Sequence, residues 1–255
     1  MERVISTSQS NRTEAPVAQL PVAAKIRALE ETLHRIVLEY SPVALASSLS
    51  AEDMVLADAI FRNDLDIEIF TLDTGRLHRD TLDLLDQIEQ HYGRQVRRVL
   101  PDPQAIAQYV ESHGRDAFYA SVELRKGCCA IRKIEPLARA LTGKQAWITG
   151  LRREQAVTRE ALQGSEPDAV HGITKFNPLA DWSEAEVWDY VRAYNVPVNR
   201  LYEQGYRSIG CGPCTRPTVT GEDVRAGRWW WEQPALRECG LHVTPDGRLA
   251  RKEPA

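Results

Sequence analysis

The chain holds five cysteines, and four of them come in two pairs: Cys128 and Cys129 in the stretch KGCCAIRK, and Cys211 and Cys214 in GCGPCTRP. A C-x-x-C turn lets two thiolates grip one metal, but CGPC is also the sequence of a redox-active dithiol of the thioredoxin type. Position separates the two readings. A thioredoxin dithiol opens a long helix early in its fold, whereas little chain remains here after Cys214 and Pro217 stands where that helix would continue. CGPC therefore reads as a ligand pair. Adjacent thiols on a regular helix point about 100° apart, so Cys128 and Cys129 reach a common site only through a local distortion, and alone they pass for buried structural thiols. Together the pairs supply four sulfurs for one site, open to Zn²⁺ or to an iron–sulfur cluster. The odd total and the clustering favour metal binding or catalysis over disulfides. Cys239, in ECGLH, has no thiol partner and is either a free surface cysteine or a nucleophile.

Two further stretches have the composition of an anion site. In Ser47-Ser48-Leu49-Ser50-Ala51-Glu52-Asp53, small hydroxyl residues between a strand and a helix let N–H and OH groups gather around a phosphate at the positive end of the helix. The plainer reading is an N-cap at Ser50 with Asp53 in the first turn. Leu72-Asp73-Thr74-Gly75 places an acid and a tight glycine turn after the next strand, and on its own is no more than a turn. An anionic ligand must be met by Arg or Lys. The positions available are Lys133, Arg152, Arg153, Arg159, Arg225 and Arg228, although arginines more often form a solvated face. The run Trp229-Trp230-Trp231 reads as packing rather than as a stacking platform.

These residues need a scaffold, and the hydrophobic pattern supplies one. Short apolar runs at 43–49, 67–72, 96–100 and 146–149 read as buried strands, and amphipathic stretches at 24–40, 52–62, 81–92, 104–112 and 183–194 as helices, the last opened by a Ser183 and Glu186 capping box. Strand and helix in alternation predict an α/β fold: one mostly parallel twisted sheet covered by helices on both faces, with ligands at the carboxyl ends of its strands. Residues 1–22 are polar and aperiodic and read as a disordered arm, 23–205 as the nucleotide-binding domain, and 206–255 as an irregular segment packed on that domain. A formal charge of −4 argues against nucleic acid or an anionic membrane as partner. The absence of an apolar leader or spanning run predicts a cytoplasmic protein.

SSLSAED followed by LDTG resembles the paired loops of the adenine-nucleotide α-hydrolase-like proteins, the group of the ATP pyrophosphatases and the sulfonucleotide reductases, although many members have Gly where this chain has Ser50. The order CC, then CGPC, then ECGLH, running with those loops from residue 40 onward, is similar to the APS/PAPS reductase family, and within it to the assimilatory adenosine 5′-phosphosulfate (APS) reductases. That resemblance implies a [4Fe–4S] cluster on Cys128, Cys129, Cys211 and Cys214. It implies a nucleotide site at Ser47, Ser48, Asp73, Thr74 and Gly75, with Lys133 linking cluster and substrate and Arg159, Arg225, Arg228 and His242 binding the substrate. It implies Cys239 as the nucleophile: its thiolate attacks the sulfate sulfur of APS, AMP leaves, and thioredoxin releases sulfite from the S-sulfocysteine. A homo-oligomer is expected. A PAPS reductase, acting on the 3′-phosphorylated nucleotide, and a zinc-containing ATP pyrophosphatase are the rival expectations.

Overall fold

The computed structural model describes residues 22–156 and 159–233. Six strands form one sheet in the order β3-β2-β1-β4-β6-β5. They are β1 (Val43–Ala46), β2 (Ile67–Leu72), β3 (Arg97–Val99), β4 (Ala146–Ile148), β5 (Ser165–Asp168) and β6 (Ile173–Phe176). All neighbours run parallel except β5, which pairs antiparallel with β6 at the edge. From β1 the chain moves outward to β2 and β3 and then returns to the other side of β1 at β4. Connections that diverge in this way open a crevice at the carboxyl ends of the two central strands.

Alternation along β1 assigns the two faces. Val43 and Leu45 join one core with α1 (Ala23–Tyr40), α2 (Ala51–Arg62), α3 (Arg79–Tyr92) and α7 (Glu184–Tyr194), while Ala44 points into a second core with Phe70, Trp147 and Leu137. The stripe Ile26, Leu29, Leu33, Ile36 of α1 packs on the first core, as its spacing demands. Val22, counted in the arm by composition, is fully buried at the start of that helix. Helix α2 is buried from Ala51 to Ile60, acids included, because it lies between the sheet and α7.

Three features depart from the expectation. Strand β1 stops at Ala46, since the loop after it takes Leu49 to φ +62°, outside any strand geometry. The β5–β6 pair gives no sequence signal because SEPD carries no apolar alternation. The third is the helical stretch around the paired cysteines. After the expected helix α4 (Pro103–His113), α5 (Val122–Cys129) runs into a π-helical turn, Ala130–Ile134, before α6 (Glu135–Leu141). Pro136 has no N–H to donate to a carbonyl four residues back, and Glu135 N–H reaches back five residues to Ala130 O. This is the distortion that two adjacent cysteines need. The segment 206–233 has little regular structure, and Leu77 bridges to Cys211 at its start. Among the described residues no helix is long and apolar enough to cross a membrane.

Candidate functional site

A cavity of about 230 Å³ opens at the carboxyl ends of β1, β2 and β4. Its floor is the first loop, and Asp53 organises it. Ser48 donates to Asp53 Oδ2 from both N–H and Oγ–H at 2.6 Å, and Gly150 N–H after β4 donates to Oδ1 at 3.1 Å. A Cβ at Gly150 would stand 2.4 Å from that oxygen, so only glycine lets the two strand ends approach this closely. Burial outweighs these bonds and pushes the Asp53 carboxyl up to about 6. Ser50 precedes α2 with extended backbone and its hydroxyl reaches Asp53 rather than a backbone N–H of the helix, so the plain N-cap is not what forms. The Ala51 N–H is taken instead by Tyr202 Oη at 2.8 Å. Ser47 and Ser48 line the cavity.

The second loop behaves differently. Thr74 lines the cavity, but Asp73 and Gly75 do not. The Asp73 carboxylate is held by Arg98 and accepts the Gly75 N–H at 3.1 Å, which fixes the turn instead of facing a ligand. Gly75 adopts φ +67°, and a Cβ there would press on Arg132. Arg132 donates to Thr74 O at 2.6 Å, Thr74 Oγ1 lies 3.2 Å from Cys211 Sγ, and Gly212 N–H donates to Arg76 O at 2.7 Å. LDTG is thereby tied to CGPC.

Cys128, Cys129, Cys211 and Cys214 line one cleft, together with Arg76, Arg125, Arg132 and Lys133. None of the four is joined in a disulfide. Burial pushes Cys214 up to about 12 and raises Cys128, against the opposing pull of Arg132 on Cys128 and of Lys133 on both. Among the described residues no three Cys, His, Asp or Glu side chains are gathered tightly enough to hold a single metal ion. CGPC itself makes one short helical turn, Gly212–Cys214, and Thr215 is already extended, so no α-helix follows as it would in a thioredoxin. From Thr215, which bridges to Arg228, the chain loops out and returns, and Trp229 N–H donates to Cys214 O at 3.1 Å. Trp229 is wholly buried against Phe118, Cys211 and Cys214, as a packing role requires, and Trp231 is partly buried beside them. Trp230 is exposed.

That return brings Arg225 and Arg228 to the cavity, where Arg159 and Lys133 also stand. Arg228 donates to Ile209 O at 2.6 Å and packs against Gly210, where a Cβ would sit 2.6 Å from the guanidinium carbon. Lys133 and Cys211 line both the cavity and the thiol cleft. Arg152 lines the cavity too, but its guanidinium is buried against Glu52 of α2 at 2.9 Å, whereas Arg153 lies outside the lining and pairs with Asp181. Cys239 and His242 lie outside the described residues.

Several lining residues carry little or no sequence signal. Gly150 follows a strand directly and could be found by that position. Trp188, Tyr202 and Arg207 could not, because they come from α7 and the turns after it and meet the cavity only through the fold.

Comparison with known proteins agrees with this geometry. Residues 42–217 match the phosphoadenosine phosphosulfate reductase domain. The chain is 57% identical over 212 residues to an adenosine 5′-phosphosulfate reductase of Allochromatium vinosum, covering 83% of each. It is 53% identical over 223 residues to the enzyme of that name from Burkholderia cepacia, covering 88% of this chain and 89% of the relative. A crystal structure of phosphoadenylyl-sulfate (PAPS) reductase from Candida auris, in a phosphate complex, superposes with a TM-score of 0.64 at 25% identity, over 82% of this chain and 98% of that one. With the domain match spanning most of the chain, and the sheet-end cavity and paired cysteines in place, this protein belongs to the phosphoadenosine phosphosulfate reductase domain family.

Proposed function

We propose that the protein is an APS reductase of sulfate assimilation, which reduces adenosine 5′-phosphosulfate to sulfite and AMP with thioredoxin as electron donor. The observation that carries this reading is the contiguity of the two cavities through Lys133 and Cys211. A nucleotide in the strand-end cavity has its anionic end beside a cation that belongs equally to the thiol cleft. The relatives named for APS support this substrate over the 3′-phosphorylated one.

In this reading Lys133, Arg159, Arg225 and Arg228, joined by His242, neutralise the phosphate and sulfate oxygens, and exclusion of water strengthens each pairing. Ser47, Ser48 and Thr74 hold the nucleotide, while Asp73 and Gly75 shape the loop. The Cys239 thiolate attacks the sulfate sulfur, the bond from sulfur to the bridging oxygen breaks, and AMP leaves as a stable anion that needs little protonation. A thiolate of reduced thioredoxin then attacks Cys239 Sγ, sulfite departs with the bonding pair, and the second thioredoxin thiol resolves the mixed disulfide. The partner is thereby oxidised by two electrons.

Cys128, Cys129, Cys211 and Cys214 would hold the [4Fe–4S] cluster. The donor set fits. Burial keeps Cys128 and Cys214 protonated, and a metal centre is what makes buried thiolates stable. Trp229 Nε1 is buried beside these sulfurs without a hydrogen-bond partner among the described residues, a donor suited to sulfur. The cluster, when bound, supplies order to the two cysteine segments and a local field at Lys133. The reading carries a cytoplasmic, homo-oligomeric enzyme.

Sulfite release with reduced thioredoxin, measured on APS and on PAPS, tests the substrate. Faster turnover of APS is expected; faster turnover of PAPS moves the protein to the sister activity, and ATP-dependent pyrophosphate release without sulfite would reject both.

A further inference from the structure

Arg125 is the largest charged side chain in the molecule with no solvent exposure among the described residues. It stands on α5, one turn before Cys129, and its Nε and Nη2 donate to Glu232 Oε1 and Oε2, both at 2.8 Å. With side-chain exposures of 0% and 4%, this is the most deeply buried ion pair among the described residues. The guanidinium also lies 4.6 Å from the centre of the Trp229 ring and interacts with the Cys129 thiol. Glu232 in turn donates its N–H to Trp229 O at 2.8 Å.

A buried ion pair is a poor way to gain stability, because an apolar pair of the same volume does as well without the cost of desolvation. Its strength is geometric: a bidentate fork fixes position and direction together. What this fork fixes is the point from which the last stretch of chain departs, since Glu232 precedes Cys239 by seven residues. Seven residues span about 25 Å at full extension, so the anchor limits where that thiol can be delivered. We infer that Arg125 and Glu232 are positioning residues, which tether the chain bearing Cys239 to the cysteine helix and so set the effective concentration of its thiol at the sulfate end of the cavity. This rests on the proposed function, and it adds to it a cause for the proximity of two parts that the sequence keeps far apart.

Glu232→Gln removes the charge and one acceptor at nearly constant volume. The readouts are the single-turnover rate of Cys239 sulfonation by APS, the dissociation constant of AMP, iron content, and amide hydrogen exchange over residues 226–233. The expected result is a rate loss of about ten- to a hundredfold, the scale on which small misplacement acts, with AMP affinity and iron within about twofold and exchange of 226–233 accelerated. Glu232→Asp, which keeps the charge, recovers part of the rate and stands in if the amide variant does not fold. An unchanged rate in a wild-type enzyme that does form the adduct overturns the inference alone. Parallel losses of affinity, iron and rate overturn it too, by making the pair a general support. Absence of any adduct in the wild type overturns the functional reading together with the inference.

Discussion

Thr74 Oγ1, on the loop after β2, lies 3.2 Å from Cys211 Sγ on the CGPC turn, and it also accepts the Arg76 N–H at 3.2 Å. One hydroxyl thus joins the wall of the nucleotide cavity to the thiol cleft. Thr74→Val keeps the shape and removes the oxygen, leaving the Arg76 N–H without that acceptor. A loss of about 1–3 kcal/mol is expected, which shifts the thermal midpoint downward by several degrees. Calorimetry of the two proteins, with iron content measured alongside, checks it.

Asp53 gives the fold a pH dependence of unusual sign. Its carboxyl is held up at about 6 against an ordinary 3.8, so the folded state binds the proton more tightly than the unfolded chain does. This group's contribution is therefore fully present below the ordinary carboxylate range and is lost as pH rises through about 6. At 1.36 kcal/mol for each pH unit between those values, the change is on the order of 3 kcal/mol. Denaturant midpoints across that window should fall with rising pH in the wild type relative to Asp53→Asn. Parallel pH profiles would contradict the assignment. The asparagine variant also sets an amide N–H₂ against the Ser48 or Gly150 donor, so it should bind AMP more weakly at every pH.

Gly210 holds open the space that Arg228 fills. A methyl group there would meet the guanidinium at 2.6 Å and push Arg228 away from the Ile209 carbonyl that holds it beside the cavity. Gly210→Ala should leave the sheet intact by circular dichroism and weaken AMP and APS binding by about tenfold or more, the worth of one charge-assisted contact. Equal affinity in calorimetric titration would show that Arg228 does not meet the ligand.

Much of this architecture is legible in the residues themselves. Although β3 leaves Arg97 and Arg98 exposed where a buried strand is expected, the positions of four strands and the capping box at Ser183 follow from periodicity and position, because each is encoded within a few neighbouring residues. The roles of Asp53 and Asp73 are not. One acid organises the cavity floor and the other faces Arg98, and that difference comes from Gly150 and from β3, both far along the chain. The helical stretch around Cys128 is disguised by its Gly, Cys and Pro content, which weakens the helical pattern where the π-helical turn forms. Arg125 looks like any surface arginine until Glu232 arrives from the other end of the sequence.

Lys133 is the residue common to both cavities. Lys133→Gln should raise the KM for APS by about tenfold or more, since a buried anion loses its counter-charge, while the protein still folds. Steady-state kinetics at fixed thioredoxin, with iron content as control, measures this; an unchanged KM would place the sulfate elsewhere.

The central claim is that Cys239 receives the sulfonate from APS. Protein purified without oxygen, incubated with APS in the absence of any thiol and then analysed by intact mass and peptide mapping, tests it most directly. A single SO₃ adduct on the peptide that carries Cys239, accompanied by one equivalent of AMP and absent in Cys239→Ser, is the predicted result. An adduct on another cysteine, or sulfite formed by the Cys239→Ser protein, would contradict the account.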